Sequence, residues 1–427
     1  LTTTLFAALA SLPLCISPAQ ADSPFLSAEA LVGAGDFTAA ETILQNTRFQ
    51  GREAIPAAYL LAVVYARTGR LDRAEKLLRE ILSREPGIDT VRIELVEILL
   101  AQNKRQAAGY QLNRLIDTAD LTRDSNQLEQ LSRRAGTTRG FSLSGYFSLA
   151  PSTNVNDGTS QSTVMIGGLP FTIANGAREQ SGIGVRAGAV AGYSHMLTEN
   201  LAAYASLSAG FSDYSNDDYD KQQGEIRVGL RRNELRYSLQ AEAIFDRHWQ
   251  NFKPYSLGIG GRVAAKWNFA QNWWVSAEVI HMNRSFDATR AAEASTTRAT
   301  GTLRRAFSNQ IAVSVSSSFE RETVSARPWN SYDSKSLTLG METPIAFGLR
   351  MNAYLTVGTR DFEDLFPGLR LVRQDRFGEL RGAFRKDDFQ IAGLSPIIGL
   401  FHKQQSSNVA FYDYRTSGMD LTFTKAF

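Results

Sequence analysis

From residue 141 to the C-terminal end the chain alternates apolar and polar residues with a period of two, and nothing else in it constrains the fold as strongly. In "FSLSGYFSLA", Phe141, Leu143, Phe147 and Leu149 fall on one face of a strand, and Ser142, Ser144, Tyr146 and Ser148 on the other. In "LRYSLQAEAIF", Leu235, Tyr237, Leu239, Ala241, Ala243 and Phe245 oppose Arg236, Ser238, Gln240 and Glu242. The closing segment sets Met419, Leu421, Phe423 and Phe427 against Gly418, Asp420, Thr422 and Thr424. A soluble sandwich alternates too, so the connections decide. Short links at 198–200, 231–234, 270–272, 308–310 and 386–388 take turns with longer ones. The longer ones lie near 151–181, 212–220, 247–254, 286–294, 322–334, 359–375 and 403–411. Tight turns on one side and long loops on the other predict an outer-membrane β-barrel over residues 139–427, of about fourteen antiparallel strands. An even strand number returns both ends to one side, so whatever precedes the barrel belongs in the periplasm.

Ahead of it the period changes. "GDFTAAETIL" starts at Gly35, "GRLDRAEKLL" at Gly69 and "NKRQAAGYQL" at Asn103, each 34 residues after the last. Ala40, Ala74 and Ala108 keep register, as do Leu44, Leu78 and Leu112. A 34-residue period, a turn glycine and a small residue at the helix crossing are the marks of tetratricopeptide repeats. Residues 26–135 are therefore expected to form a helical solenoid with a surface for peptides or partner proteins. The expected fold class is α+β multidomain, a repeat solenoid followed by the transmembrane barrel.

The first residues are read as a secretory signal. Residues 2–21 are uncharged, apolar in the middle, and end in Ala19-Gln20-Ala21, a small-x-small pattern cut before Asp22. Pro13 and Pro18 interrupt a stretch shorter than the ~20 residues of a spanning helix. Cys15, the single cysteine, lies within this segment, so the remainder must be held by its core or by closed hydrogen bonding rather than by disulfides. A net charge of +3 with 21% charged residues points to no polyanion partner, and no nucleic acid is expected.

Chemistry is sparse. His195, His248, His281 and His402 are scattered outside any metal-ligand spacing. "NDDYD" at 216–220 lacks the glycine and distal glutamate of a calcium loop. No serine stands in a G-x-S-x-G elbow and no glycine-rich phosphate loop follows a strand. Neither catalysis, a metal nor a cofactor is expected. The inward faces are predicted to carry Arg227, Arg231, Arg236, Glu242, Arg262, Lys266, Glu278, Arg304, Glu342, Glu379, Arg381 and Arg385. Such a mixed lining either conducts solutes or locks the interior through paired charges.

The two halves together resemble the surface lipoprotein assembly modulator family of outer-membrane translocators. The local stretches that carry the likeness are "PSTNVND" at 151–157, "SSNVAFYDY" at 406–414 and the terminal "LTFTKAF". The resemblance implies a protein that moves a lipoprotein or secreted binding protein from the periplasm to the cell surface, with the repeats taking part in capture. It also implies an outer-membrane lipid setting, and Phe427 as a signal read by the barrel-assembly machinery. The seam between first and last strands is then a candidate exit, flanked by Asn154, Asn156, Asn408, Tyr412 and Tyr414. An exopolysaccharide exporter, or a porin-like channel with a periplasmic adaptor, is the alternative; its acidic and aromatic lumen would differ from the arginine-rich one expected here.

Overall fold

The computed structural model describes residues 23–424, except 86, 119–127, 129, 132–133, 135–139, 167–168, 216–218, 288–292, 308–310, 387–388, 390 and 392–393. The expected signal segment, the expected boundary at 135–139 and Phe427 lie outside the described residues.

The chain divides into two compact units, residues 1–78 and 79–427. The first holds α1 (Pro24–Ala34), α2 (Phe37–Asn46), α3 (Ala54–Arg67) and the start of α4 (Leu71–Arg84). The Ser23 side chain caps α1, and the Asp36 carboxylate accepts from the Ala39 amide 3.0 Å away at the start of α2. Gly35 and Gly69 take φ of 82° and 77°, and Asn103, at the equivalent place in the next repeat, takes 61°. That left-handed turn is why two glycines and an asparagine recur 34 residues apart. The in-register Ala40, Ala74 and Ala108 have no exposed surface, and Leu44, Leu78 and Leu112 are buried with them.

Within this unit, Arg70 grips both Glu41 oxygens, at 2.7 and 2.5 Å, while its guanidinium lies 4.7 Å from the Tyr65 ring centroid. The hydrogen bonds from Arg70 hold the Glu41 carboxyl below the usual glutamate range. A depressed carboxylate stabilises the fold above the unfolded value, about 4.3, and that contribution is lost as pH falls through the folded value. Amide exchange across α2 is therefore expected to be slower in the native chain than in Glu41→Gln at neutral pH. The difference should vanish in acid, and a difference that persists there would contradict the assignment.

The second unit begins within α4 and holds α5 (Asp89–Ala101), α6 (Arg105–Thr118) and the barrel. Leu95, Leu99 and Leu115 are fully buried, each contributing about 1.5–3 kcal/mol of apolar burial. The strands are β1 (Gly140–Ser152), a small loop hairpin β2 (Thr163–Ile166) and β3 (Leu169–Thr172), then β4 (Gly182–Met196), β5 (Leu201–Tyr214) and β6 (Lys221–Asn233). They continue with β7 (Tyr237–Gln250), β8 (Lys253–Ala270), β9 (Trp273–Phe286), β10 (Ala294–Ala306) and β11 (Ala312–Val324). The last are β12 (Tyr332–Ile345), β13 (Leu349–Leu365), β14 (Val372–Lys386), β15 (Ser395–Ser407) and β16 (Tyr414–Thr424). All but β2 and β3 form one closed antiparallel barrel of fourteen strands in chain order, with β1 meeting β16.

The alternation read from the sequence is the alternation of the wall. Leu207, Ile226, Val228, Leu230, Leu239, Ile259 and Val263 point outward and are exposed, as a lipid-facing band requires. Trp267, Phe269 and Trp273 meet in tilted ring contacts near the periplasmic turns, with Arg305 5.0 Å from the Trp273 ring centroid, marking the inner aromatic girdle. One expected long loop is not one. Between β7 and β8 only Asn251 and Phe252 remain unpaired, both at positive φ (49° and 56°), as in a type I′ hairpin turn. These strands run on past the apolar band, and their polar outer ends read as a loop.

Candidate functional site

The barrel closes where β1 meets β16. Among the described residues five positions pair, from Tyr146 opposite Thr424 to Ser152 opposite Gly418, whereas eleven pair between β15 and β16. The ladder skips Ala150 and Pro151, and a proline has no N–H to give. On the lumenal side the junction is tied by Thr422 Oγ1 to Ser148 Oγ at 2.9 Å. An Arg186–Asp420 ion pair, also 2.9 Å, reaches over β1 from β4.

The two motifs of the sequence meet at the outer end of this seam. Asn154 is 2% exposed; its Nδ2 donates to the Arg415 carbonyl of β16 at 3.0 Å and to Gly158 O at 2.8 Å, while its Oδ1 accepts from Gly158 N. Gly158 makes this closure possible, because a Cβ there would sit 2.5 Å from the Arg178 carbonyl. Asp157 accepts from Thr416 Oγ1 and Lys403 Nζ, each at 3.1 Å, which adds β15 to the clasp. Asn156 serves its own loop, donating to Gly176 and Arg178 carbonyls and accepting from Gln180 N.

From the other side, Asn408 Oδ1 accepts from Gln374 N at 2.8 Å and its Nδ2 donates to Val372 O, pinning the last outer loop to β14. Tyr414 is buried with the Lys403 amine 4.9 Å from its ring centroid. Tyr412 lies on the Arg373 guanidinium, 3.2 Å from centroid to Cζ, and Arg373 also faces Phe362 at 4.2 Å. Asp375, 1% exposed, receives Arg373 Nε and Nη2 at 3.0 and 2.6 Å. Asn154 and Asp157 thus tie the outer end of the seam across to β16, while Arg373 and Asp375 hold the neighbouring β15–β16 loop through Tyr412, and Asn156 and Asn408 hold their own loops. The sequence reading did not single out Asp157, Arg373 or Asp375. An acid and a base two apart on one strand, beside a tyrosine-rich loop, were the available signal for Arg373 and Asp375.

Farther round the wall the residues expected to line the lumen are held by neighbouring side chains. Arg227 donates to Glu225 at 2.6 and 3.0 Å and to Glu242 at 3.0 Å. Arg262 donates to Glu278 at 2.6 Å and to Glu242 at 3.2 Å, and Glu242 also accepts from Tyr204 and Gln240. Arg231 faces the Tyr204 ring, Lys266 sits 3.9 Å from the Trp274 centroid, and Arg381 pairs with Glu379 at 2.7 Å. Arg236 differs: it stands in the turn before β7, where its carbonyl accepts from Asn268 N. A wall braced by ion pairs fits the locked reading of the lining better than an open row of charges.

At the periplasmic end α6 is bound to this inward wall. Arg114 donates to Glu342 of β12; Tyr110 donates to the same carboxylate at 3.3 Å and accepts from Arg385 of β14 at 2.7 Å. Arg350 and Arg304 stand 3.7 and 3.6 Å from Glu342. Behind them Arg92 of α5 is buried and donates to Gln111 at 2.6 Å. Burial, with Arg114 and Arg350 beside it, pulls its guanidinium down to about 10. The helices and the barrel thus share a hydrogen-bonded contact at the inner mouth on the β12–β14 side.

Comparison with known proteins matches this architecture. The family model described as "Surface lipoprotein assembly modifier" matches residues 141–427, and a tetratricopeptide repeat model matches residues 31–89. The chain is similar to surface lipoprotein assembly modifier 1 of Haemophilus influenzae, 21% identical over 370 residues that cover 84% of this chain and 75% of that one. Among solved structures it is similar to a loop-deletion form of the outer membrane protein OmpT of Vibrio cholerae, at 8% identity and a TM-score of 0.38, covering 67% of this chain and 99% of that one. A FadL homologue of Pseudomonas aeruginosa is similar at 11% identity and a TM-score of 0.36, covering 68% and 92%.

Proposed function

Because this chain belongs to the surface lipoprotein assembly modifier family, we propose that it delivers a client lipoprotein or secreted binding protein from the periplasm to the cell surface. It is an outer-membrane barrel preceded by tetratricopeptide helices, and the family assignment gives it a part in surface lipoprotein assembly. The route is the β1–β16 seam. The observation that carries this is the outer clasp, in which side chains of the 151–157 stretch reach across that junction to Arg415 and Thr416 of β16. A sheet edge that opens offers backbone donors and acceptors to an incoming strand. Opening from below would let a client pair before the Asn154 and Asp157 contacts part.

The braced lumen supports this route over passage through the centre, and so does α6, which occupies the inner rim at Glu342 and Arg385. The same features weigh against a polysaccharide exporter or an open porin. In this reading the helical repeats receive the client, the barrel-assembly machinery recognises the barrel through β16, and no catalysis takes part. The test is protease shaving of intact cells that express epitope-tagged lipoproteins of the source organism, with and without this chain.

A further inference from the structure

The lipid-facing wall carries a notch unrelated to the seam or the lumen. On β12, β13 and β14 the outward residues Leu337 and Val357, with Gly378 next in the same cross-strand row, lie at a depression of about 540 Å³ that Leu337, Val357, Lys335, Thr359 and Arg376 help line. Its upper rim is a single row across three strands, because Lys335 pairs with Thr359 and Thr359 with Arg376. Strands lie about 4.8 Å apart, so the two cationic stems start about 10 Å from each other. Below the rim the outward surface is apolar, with Leu339, Leu355 and Leu380 exposed. One row farther out is Asp333, which Arg321 engages with two hydrogen bonds of 2.7 Å. Neither Lys335 nor Arg376 is in an ion pair among the described residues.

An apolar hollow under two cations, at the level where the wall turns from apolar to polar near the outer loops, matches one kind of ligand. We propose that this notch binds a phosphorylated glycolipid of the outer leaflet, with an acyl chain in the hollow and a phosphate held between Lys335 and Arg376. Both side chains are long enough to bring their charged ends together over Thr359 while their stems stay on the apolar wall. A phosphate then receives charge-assisted hydrogen bonds from both. Two strands, β15 and β16, separate the notch from the seam. The inference stands on the wall alone, and its failure would leave the delivery reading untouched.

The experiment uses the full chain, purified from outer membranes and exchanged into fresh detergent, with lipid A and phosphatidylglycerol as the added probes and native mass spectrometry as the readout. Wild type is expected to retain one lipid A. The double substitution Lys335→Glu, Arg376→Glu should lower that occupancy at least about tenfold, the scale of losing hydrogen bonds to a charged group. Gly378→Leu, which puts a branched side chain at the edge of the hollow, should lower it as well with both cations in place; a Cβ at Gly378 meets nothing closer than Thr356 O at 3.8 Å, so the backbone there accepts a side chain. Heat-dependent gel mobility checks folding of each protein. Retention unchanged in Gly378→Leu, or phosphatidylglycerol bound as well as lipid A, would overturn the proposal.

Discussion

Joining β1 to β16 through the double substitution Ser148→Cys, Thr422→Cys is expected to reduce client delivery to background under oxidising conditions and to restore it with a reductant. The two hydroxyls already lie 2.9 Å apart on directly paired positions. Cα atoms of such pairs stand about 4.5–5.5 Å apart, within the range a disulfide spans without moving the backbone. The one native cysteine is Cys15, in the expected signal segment, so no other thiol competes in the barrel. A matching bond between β10 and β11, from Thr302→Cys and Ser316→Cys, whose hydroxyls are 2.8 Å apart, braces the wall far from the seam and should leave delivery intact. If both bonds block delivery, barrel stiffness rather than seam opening is responsible. If neither does, the seam is not the route.

Asp375→Ala is expected to have the largest effect on the outer clasp. Asp375 is almost wholly buried and is gripped by Arg373, itself 6% exposed. Removing one member of such a pair leaves a buried charge without its counterion, at a cost of about 3–5 kcal/mol. Tyr412 rests on that guanidinium, so the loop between β15 and β16 should detach and become open to added protease on intact cells. The barrel's heat-dependent mobility shift should move to lower temperature. Replacing both partners by apolar residues, Arg373→Met with Asp375→Leu, should recover much of the stability, since it removes the uncompensated charge. Equal losses in the single and double variants would show that the loop is held by contacts other than this pair.

Much of the architecture was legible because membrane and repeat constraints act on single residues. Lipid on one side of a strand demands alternation from Leu143 to Leu421, and stacked helices demand small residues at Ala40, Ala74 and Ala108. The strand number followed from turn spacing; the loop misread at Asn251 and Phe252 failed because paired strands beyond the bilayer need no apolar face, and the short link expected at 386–388 spans 387–394 between β14 and β15. The clasp was half legible. Asn154, Tyr412 and Tyr414 lie in motifs that could be read locally, but Asp157 meets Lys403 across 246 residues of chain. Alternation tells which way a side chain points and nothing of what it meets, so the Glu342 knot with Tyr110 and Arg114 was invisible too.

The measurement that bears most directly on the whole account is surface exposure of tagged lipoproteins on intact cells, with this chain present and absent, while an unrelated porin reports that barrel assembly is normal. The account predicts that at least one lipoprotein is cut by external protease only when this chain is present. Exposure that is the same for every lipoprotein in both strains, with the chain correctly folded in the membrane, would contradict it.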